Sequence, residues 1–193
     1  MKSVAIFCGA VSGSEPSLLK EVVNLVQLLA HNNIEVIYGG GKLGVMGLVA
    51  DTAIQHNCKI IGIMPEFLID KEIAHDALSE LISVKSMSER KQIICEKADS
   101  FILLPGGIGS LDEFFDMLSQ MHVGRISKKF GILNVDNYYD AILEQLRKAK
   151  ELDFMKAEIH DVIKVGHTAK ELFNEMIVGE AHKIDRWKDS RCV

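Results

Sequence analysis

The chain has 193 residues, 48% of them hydrophobic, a formal net charge of -5 and four cysteines. That length gives one domain able to bury about 70% of its unfolded surface without disulfide or metal staples. The acidic balance disfavours nucleic acid or anionic membrane as partners, because both reward a basic face, and the sequence carries neither a leader-like segment nor a run of about 18 apolar residues, so a cytoplasmic location is expected.

Short apolar runs alternate with longer segments of helical periodicity. Val4 to Ala10 reads as a strand, and Glu15 to Asn32 as a helix with Leu18, Val22, Val26 and Leu29 at helical spacing. Ile34–Tyr38 is a second strand, Val45–His56 a helix, and Lys59–Met64 a third strand stopped by Pro65. Glu66 to Asp76 has mixed polarity and reads as a long loop. Leu81–Lys85 is a short strand, Ser86–Ala98 a helix, and Ser100–Leu104 a strongly apolar strand closed by Pro105-Gly106-Gly107. A helix over Leu111–Val123, a strand over Phe130–Val135, a helix over Asn137–Leu152, a strand over Val162–Val165 and a helix over Ala169–Ile177 complete the pattern. Apolar strands separated by helices imply an α/β fold: a Rossmann-like, doubly wound parallel sheet with helices on both faces. Residues 1–178 read as one nucleotide-binding α/β domain, and 179–193 as a tail that is polar apart from Trp187.

Ligands of such sheets bind beyond the carboxyl ends of the strands. Three turns there are rich in small residues. Gly9-Ala10-Val11-Ser12-Gly13-Ser14 reads equally as a plain turn with a serine cap and as a ligand loop. Gly39-Gly40-Gly41, continuing to Gly44 and Gly47, lets the backbone approach an anion closely and precedes a helix whose amino end favours phosphate. Pro105-Gly106-Gly107-Ile108-Gly109-Ser110 repeats the strand-to-helix arrangement, although Ser110-Leu111-Asp112-Glu113 also fits a capping box in which Glu113 merely starts a helix. Two such turns in one sheet favour a small phosphate-bearing ligand, most simply a nucleotide.

Arg90 interrupts an apolar stripe of Met87, Ile94 and Ala98. A guanidinium there either meets an anion (the ligand phosphate or Glu113) or snorkels to solvent. Cys8, Cys58 and Cys95 lie in or beside apolar segments and read as buried thiols; Cys192 lies in the tail. No C-x-x-C pair occurs and the seven histidines form no ligand-like cluster, so no metal site is expected.

These motifs together resemble the LOG ("lonely guy") family of cytokinin riboside 5'-monophosphate phosphoribohydrolases, formerly labelled lysine-decarboxylase-like. The family's P-G-G-x-G-T-x-x-E motif has its counterpart in Pro105 to Glu113, and its M-x-x-R-K motif in Met87-Ser88-Glu89-Arg90-Lys91. The resemblance extends over Tyr38 to Gly41, Gly44, Met46 to Asp51, and Leu133-Asn134 through Tyr138-Tyr139, from Val4 to about Phe173 in all. It implies a homodimer that hydrolyses the N-glycosidic bond of a nucleoside 5'-monophosphate, such as AMP or a cytokinin riboside monophosphate, to free base and ribose 5-phosphate, with no metal or redox cofactor. Glu113 and Arg90 would be the catalytic pair. Gly39, Gly40, Gly41, Met87, Lys91, Gly106, Gly107, Gly109 and Ser110 would hold the phosphate and nucleotide. Ser110 stands for the family's threonine and keeps its hydroxyl, Asp112 replaces a common glutamate, and Ser88 replaces a frequent histidine. Gln120 stands where the family has a tryptophan, a position expected on the base side of the ligand. The alternatives are a non-catalytic nucleotide or molybdenum-cofactor carrier of the same fold and an NAD-dependent dehydrogenase. Against the dehydrogenase, G-x-G-x-x-G follows the second strand, with only Met64-Pro65-Glu66 to supply a ribose-binding acid. A lysine decarboxylase finds no lysine in a pyridoxal-phosphate context.

Overall fold

A computed structural model of the chain describes residues 1–69, 71 and 73–178; the tail from Gly179, with Trp187 and Cys192, lies outside the described residues. Seven strands, β1 (Ser3–Phe7), β2 (Glu35–Tyr38), β3 (Ile60–Pro65), β4 (Glu80–Val84), β5 (Ser100–Leu103), β6 (Lys129–Leu133) and β7 (Ile163–Gly166), form one sheet in the order β4-β3-β2-β1-β5-β6-β7. Every pairing is parallel; the central pair runs from Val4 beside Ser100 to Phe7 beside Leu103.

Alternating side chains of each strand serve two separate cores, which is why the strands read as continuous apolar runs. Val4, Ile6, Val36, Tyr38 and Ile102 face α1 (Pro16–His31), α2 (Gly44–Gln55) and α8 (Ala169–Ile177). Ala5, Phe7, Ile37, Phe101 and Leu103 face α4 (Met87–Lys97), α5 (Ile108–His122), α6 (Asp140–Glu151) and the short α7 (Ala157–Asp161). On that second face Phe7, Phe101, Phe114 and Phe130 make a stacked and edge-to-face cluster. The architecture is the Rossmann-like, doubly wound sheet expected. No helix among the described residues is long and apolar enough to cross a membrane.

Several boundaries differ from the sequence reading. The long loop contains one helical turn, α3 (Glu66–Ile69). Residues between α6 and β7 form α7, anchored by the fully buried Ile159. The helix expected from Asn137 starts at Asp140, because Asp136 and Asn137 adopt positive φ (50° and 61°), a conformation their short polar side chains tolerate. The largest change is at α5, which begins at Ile108 rather than Leu111.

Candidate active site

The sheet order reverses between β1 and β5, so the connections leaving these two strands diverge and open a crevice at their carboxyl ends. Three turns are fused into its floor. The Gly9 amide donates to the Pro105 carbonyl (3.2 Å), and the Met46 amide donates to the Gly9 carbonyl (3.1 Å). Gly44, at φ 61°, lies so close to the first turn that a Cβ would sit 2.3 Å from the Ala10 carbonyl carbon. Above this floor is a cavity of about 570 Å³.

The amino end of α5 points into it. Gly107 is the N-cap and offers no side chain to the first-turn amides. The capping-box alternative for Ser110 and Glu113 is therefore excluded. Ile108 and Gly109 are already helical, so Ser110 cannot take the extended conformation a cap requires. Its hydroxyl is instead buried without a hydrogen-bond partner. An uncapped helix start with open amides is an anion site in waiting.

Glu113, one turn further along α5, meets Arg90 from α4. Ser86 caps α4 by accepting from the Glu89 amide, while Glu89 accepts from the Lys85 amide, and this fixes the rotation that turns Arg90 inward. Arg90 Nη2 stands 2.9 Å from Glu113 Oε1, with 10% of each side chain exposed. The snorkelling alternative for Arg90 is thus overturned. The contact has ion-pair distance without hydrogen-bond alignment, and Arg90 Nε, Glu113 Oε1 and Ser110 Oγ are all buried with no hydrogen-bond partner among the described residues. Buried polar atoms are nearly always satisfied, and here three without a hydrogen bond belong to residues that line one cavity. Burial pushes the Glu113 carboxyl above the ordinary carboxylate value, and Arg90 opposes that rise only in part. Cys8, at the end of β1, is raised first by burial and then by the neighbouring Glu113 charge.

The cavity gathers most of the residues singled out in the sequence: Gly39, Met87, Arg90, Gly106, Gly107, Gly109, Ser110 and Glu113 all line it. Gly40, Gly41 and Lys91 do not. The Gly40 carbonyl accepts from the His75 amide (2.9 Å), and Gly41 bridges Ala74, so this half of the glycine turn clamps the segment that brings Ile73 to the cavity wall. Lys91 pairs with Asp112 at 2.7 Å outside the cavity. Gln120 lies in a separate groove, donating to Asp116 (3.1 Å), and so does not touch the cavity of its own chain.

Sequence reasoning missed part of the lining. The turn from Gly9 to Gly13, left open between plain turn and ligand loop, borders the cavity. So does Tyr138, whose hydroxyl donates to the Gly106 carbonyl at 2.8 Å. Met46, Met64, Leu68 and Ile73 form an apolar wall. Their one signal was position beyond strand ends, since Leu68 and Ile73 sit in a segment without periodicity. Among the described residues, no group of three or more His, Cys, Asp or Glu side chains is arranged to hold a metal ion.

Comparison by sequence with known proteins points to one family. A family profile described as "Possible lysine decarboxylase" matches residues 46–176. A cytokinin riboside 5'-monophosphate phosphoribohydrolase of Arabidopsis thaliana is 36% identical over 182 residues, covering 94% of this chain and 78% of the relative. A second from the same plant is 34% identical over 175 residues, covering 91% and 81%. Among solved structures, the molybdenum cofactor binding protein of the phototrophic bacterium Rippkaea orientalis superposes with a TM-score of 0.67 over 91% of this chain and 97% of that one, at 22% identity. That last likeness speaks to the fold alone.

Proposed function

The chain belongs to the LOG family that this profile and these relatives define, and we propose that it hydrolyses the N-glycosidic bond of a nucleoside 5'-monophosphate, giving free base and ribose 5-phosphate. The observation that carries the reading is the buried Arg90–Glu113 pair one helical turn from the uncapped amino end of α5, both in one cavity. The phosphate would lie against the amides after Gly106 and the Ser110 hydroxyl, where helix dipole and open N–H groups favour an anion. The ribose then falls beside Glu113.

Breaking an N-glycosidic bond builds positive charge on the sugar ring, as glycoside hydrolysis does. A carboxylate held beside the anomeric carbon in a site of low dielectric stabilises that charge and can orient or deprotonate the attacking water. Arg90 holds the carboxylate in place and keeps a share of it ionised against the cost of burial. On this reading the base lies toward Met64, Leu68, Ile73 and Met87, an apolar surface suited to a purine and to an apolar substituent on it. The protein would work as a cytoplasmic homodimer. Exposed apolar side chains on α4 and α5, Met87, Ile108 and Phe115 among them, support a partner subunit.

The test is incubation of the purified protein with AMP and with isopentenyladenosine monophosphate, following free base by chromatography beside Glu113→Ala and Arg90→Ala. Base release that both variants lose establishes the activity. Nucleotide binding without release from either compound would overturn it in favour of a carrier.

A further inference from the structure

The Gly106–Gly107 peptide leads into the amino end of α5, and its Gly106 end packs against Ser110 and the Gly9 amide. Gly107 is open on its side-chain face: a Cβ there would meet no atom within 4 Å. Between two glycines a peptide plane rotates readily, and its two orientations are opposite in effect. Because the peptide is planar and trans, its carbonyl and its N–H point in opposite directions, so whichever group holds one fixes the other. A carbonyl oxygen turned toward the mouth of α5 would repel the anion that the helix amides attract.

We propose that Tyr138 is a positioning residue that locks this peptide for anion binding. Its hydroxyl donates to the Gly106 carbonyl at 2.8 Å from a side chain that itself borders the cavity. The segment behind it is built as a brace. Asp136 and Asn137 adopt left-handed φ, Ser17 on α1 donates to the Asp136 carboxylate, and the Tyr139 amide donates to the Asn134 side chain. Tyr139, packed edge-on against Tyr138, donates its own hydroxyl to the Leu104 carbonyl. Adjacent tyrosines thus hold the carbonyls on either side of Pro105. They differ in place: Tyr139 is fully buried, whereas Tyr138 is half exposed in the cavity.

This inference rests on the nucleotide reading in taking a phosphate as the anion, and its test separates the two. Tyr138→Phe keeps the ring and removes only the hydroxyl. Its dissociation constant for ribose 5-phosphate, by calorimetry, is expected to rise about tenfold, the worth of one hydrogen bond. The KM for AMP should rise by the same factor with kcat within about twofold, the pattern of lost ground-state binding. Thr168→Ala, which removes the side-chain cap of α8 away from the cavity, is expected to lower the thermal midpoint and leave that dissociation constant in place; an equal rise there would mean general loosening and overturn the proposal. Tyr138→Ser, whose hydroxyl is too short to reach Gly106, is the second variant should the first not fold, with at least the same rise expected. Unchanged ribose 5-phosphate affinity in a Tyr138 variant, with wild-type base release intact, would overturn the brace and keep the hydrolase. Affinity lost in the variant of a wild type that releases no base would support the brace and remove the hydrolase.

Discussion

Arg90 and Glu113 reach each other from different helices, α4 and α5, and stand 2.9 Å apart in a cavity that exposes a tenth of either side chain. Neither residue has another reason to be there. Glu113 is not a helix cap, Arg90 does not reach solvent, and each leaves a buried polar atom without a hydrogen bond. An ion pair of this kind is poor evidence for stability, since desolvation offsets most of its attraction, and good evidence for a role.

The first expectation concerns pH. Burial raises Glu113 above the ordinary 4.5, and Arg90 pulls it back. If ionised Glu113 is needed, the acid limb of kcat/KM against pH falls above 4.5, and Arg90→Gln moves that limb further to alkaline pH in whatever activity remains. For stability the sign is opposite to that of a salt-bridged surface carboxylate. A carboxyl whose folded-state value is raised binds its proton more tightly when folded. Its cost is therefore absent below the unfolded value, grows as pH rises from there, and is complete above the folded value. Titration of kcat/KM in wild type and Arg90→Gln checks the direction; an acid limb at or below 4.5 would remove Glu113 as the ionised group.

The pair should also show strong non-additivity. Arg90→Met leaves the Glu113 carboxylate buried and alone, and is expected to cost roughly 3 kcal/mol, the low end for a broken buried pair because this one borders an open cavity. Adding Glu113→Gln removes the stranded charge, and the double variant should recover most of that loss while remaining inactive. Urea denaturation of the single and double variants gives the coupling directly. Simple additivity would mean the two side chains do not sense each other.

Much of this was legible in the sequence, and the exceptions share a cause. Continuous apolar strands and helical spacing in between gave the parallel sheet, because each strand feeds two cores and each helix one. The glycine turns were visible because they follow strand ends. Local spacing could not tell which glycines face a ligand. Gly39 and Gly41 are two residues apart, yet one lines the cavity and the other clamps the segment carrying Ala74. The capping-box alternative for Ser110 fails for the same reason: S-x-x-E is a cap only if the helix starts just after it, and α5 starts three residues earlier than that. Tyr138 and Ile73 reach the site through chain crossings that no window of neighbouring residues contains.

Gly109 separates folding from ligand binding. It sits in the first turn of α5 with no atom within 4 Å of where a Cβ would stand. Nothing among the described residues requires glycine there, and alanine is the better helix former, so Gly109→Ala should stabilise the chain by about 0.5 kcal/mol. The added methyl would stand in the cavity where a phosphate would lie, and the KM for AMP should rise severalfold. Thermal unfolding and steady-state kinetics on one preparation test both halves. A destabilised variant with unchanged KM would show that the glycine serves the turn and not a ligand.

Base choice provides the last test, because two locations compete for it. Gln120, expected from the family resemblance on the base side, lies in a groove of its own between α4 and α5, bonded to Asp116. Ile73 lies in the cavity wall with Met64 and Leu68, on the segment clamped to Gly40 and Gly41. If the base is held within one chain, Ile73→Asn should lower kcat/KM for isopentenyladenosine monophosphate relative to AMP by about tenfold, the loss expected when apolar contact to a few carbons is replaced by a polar group. Gln120→Trp should then leave the ratio unchanged. The opposite outcome, a ratio that follows Gln120 and ignores Ile73, would mean that the groove of one subunit completes the cavity of another, and would make the assembled dimer the unit that selects the base.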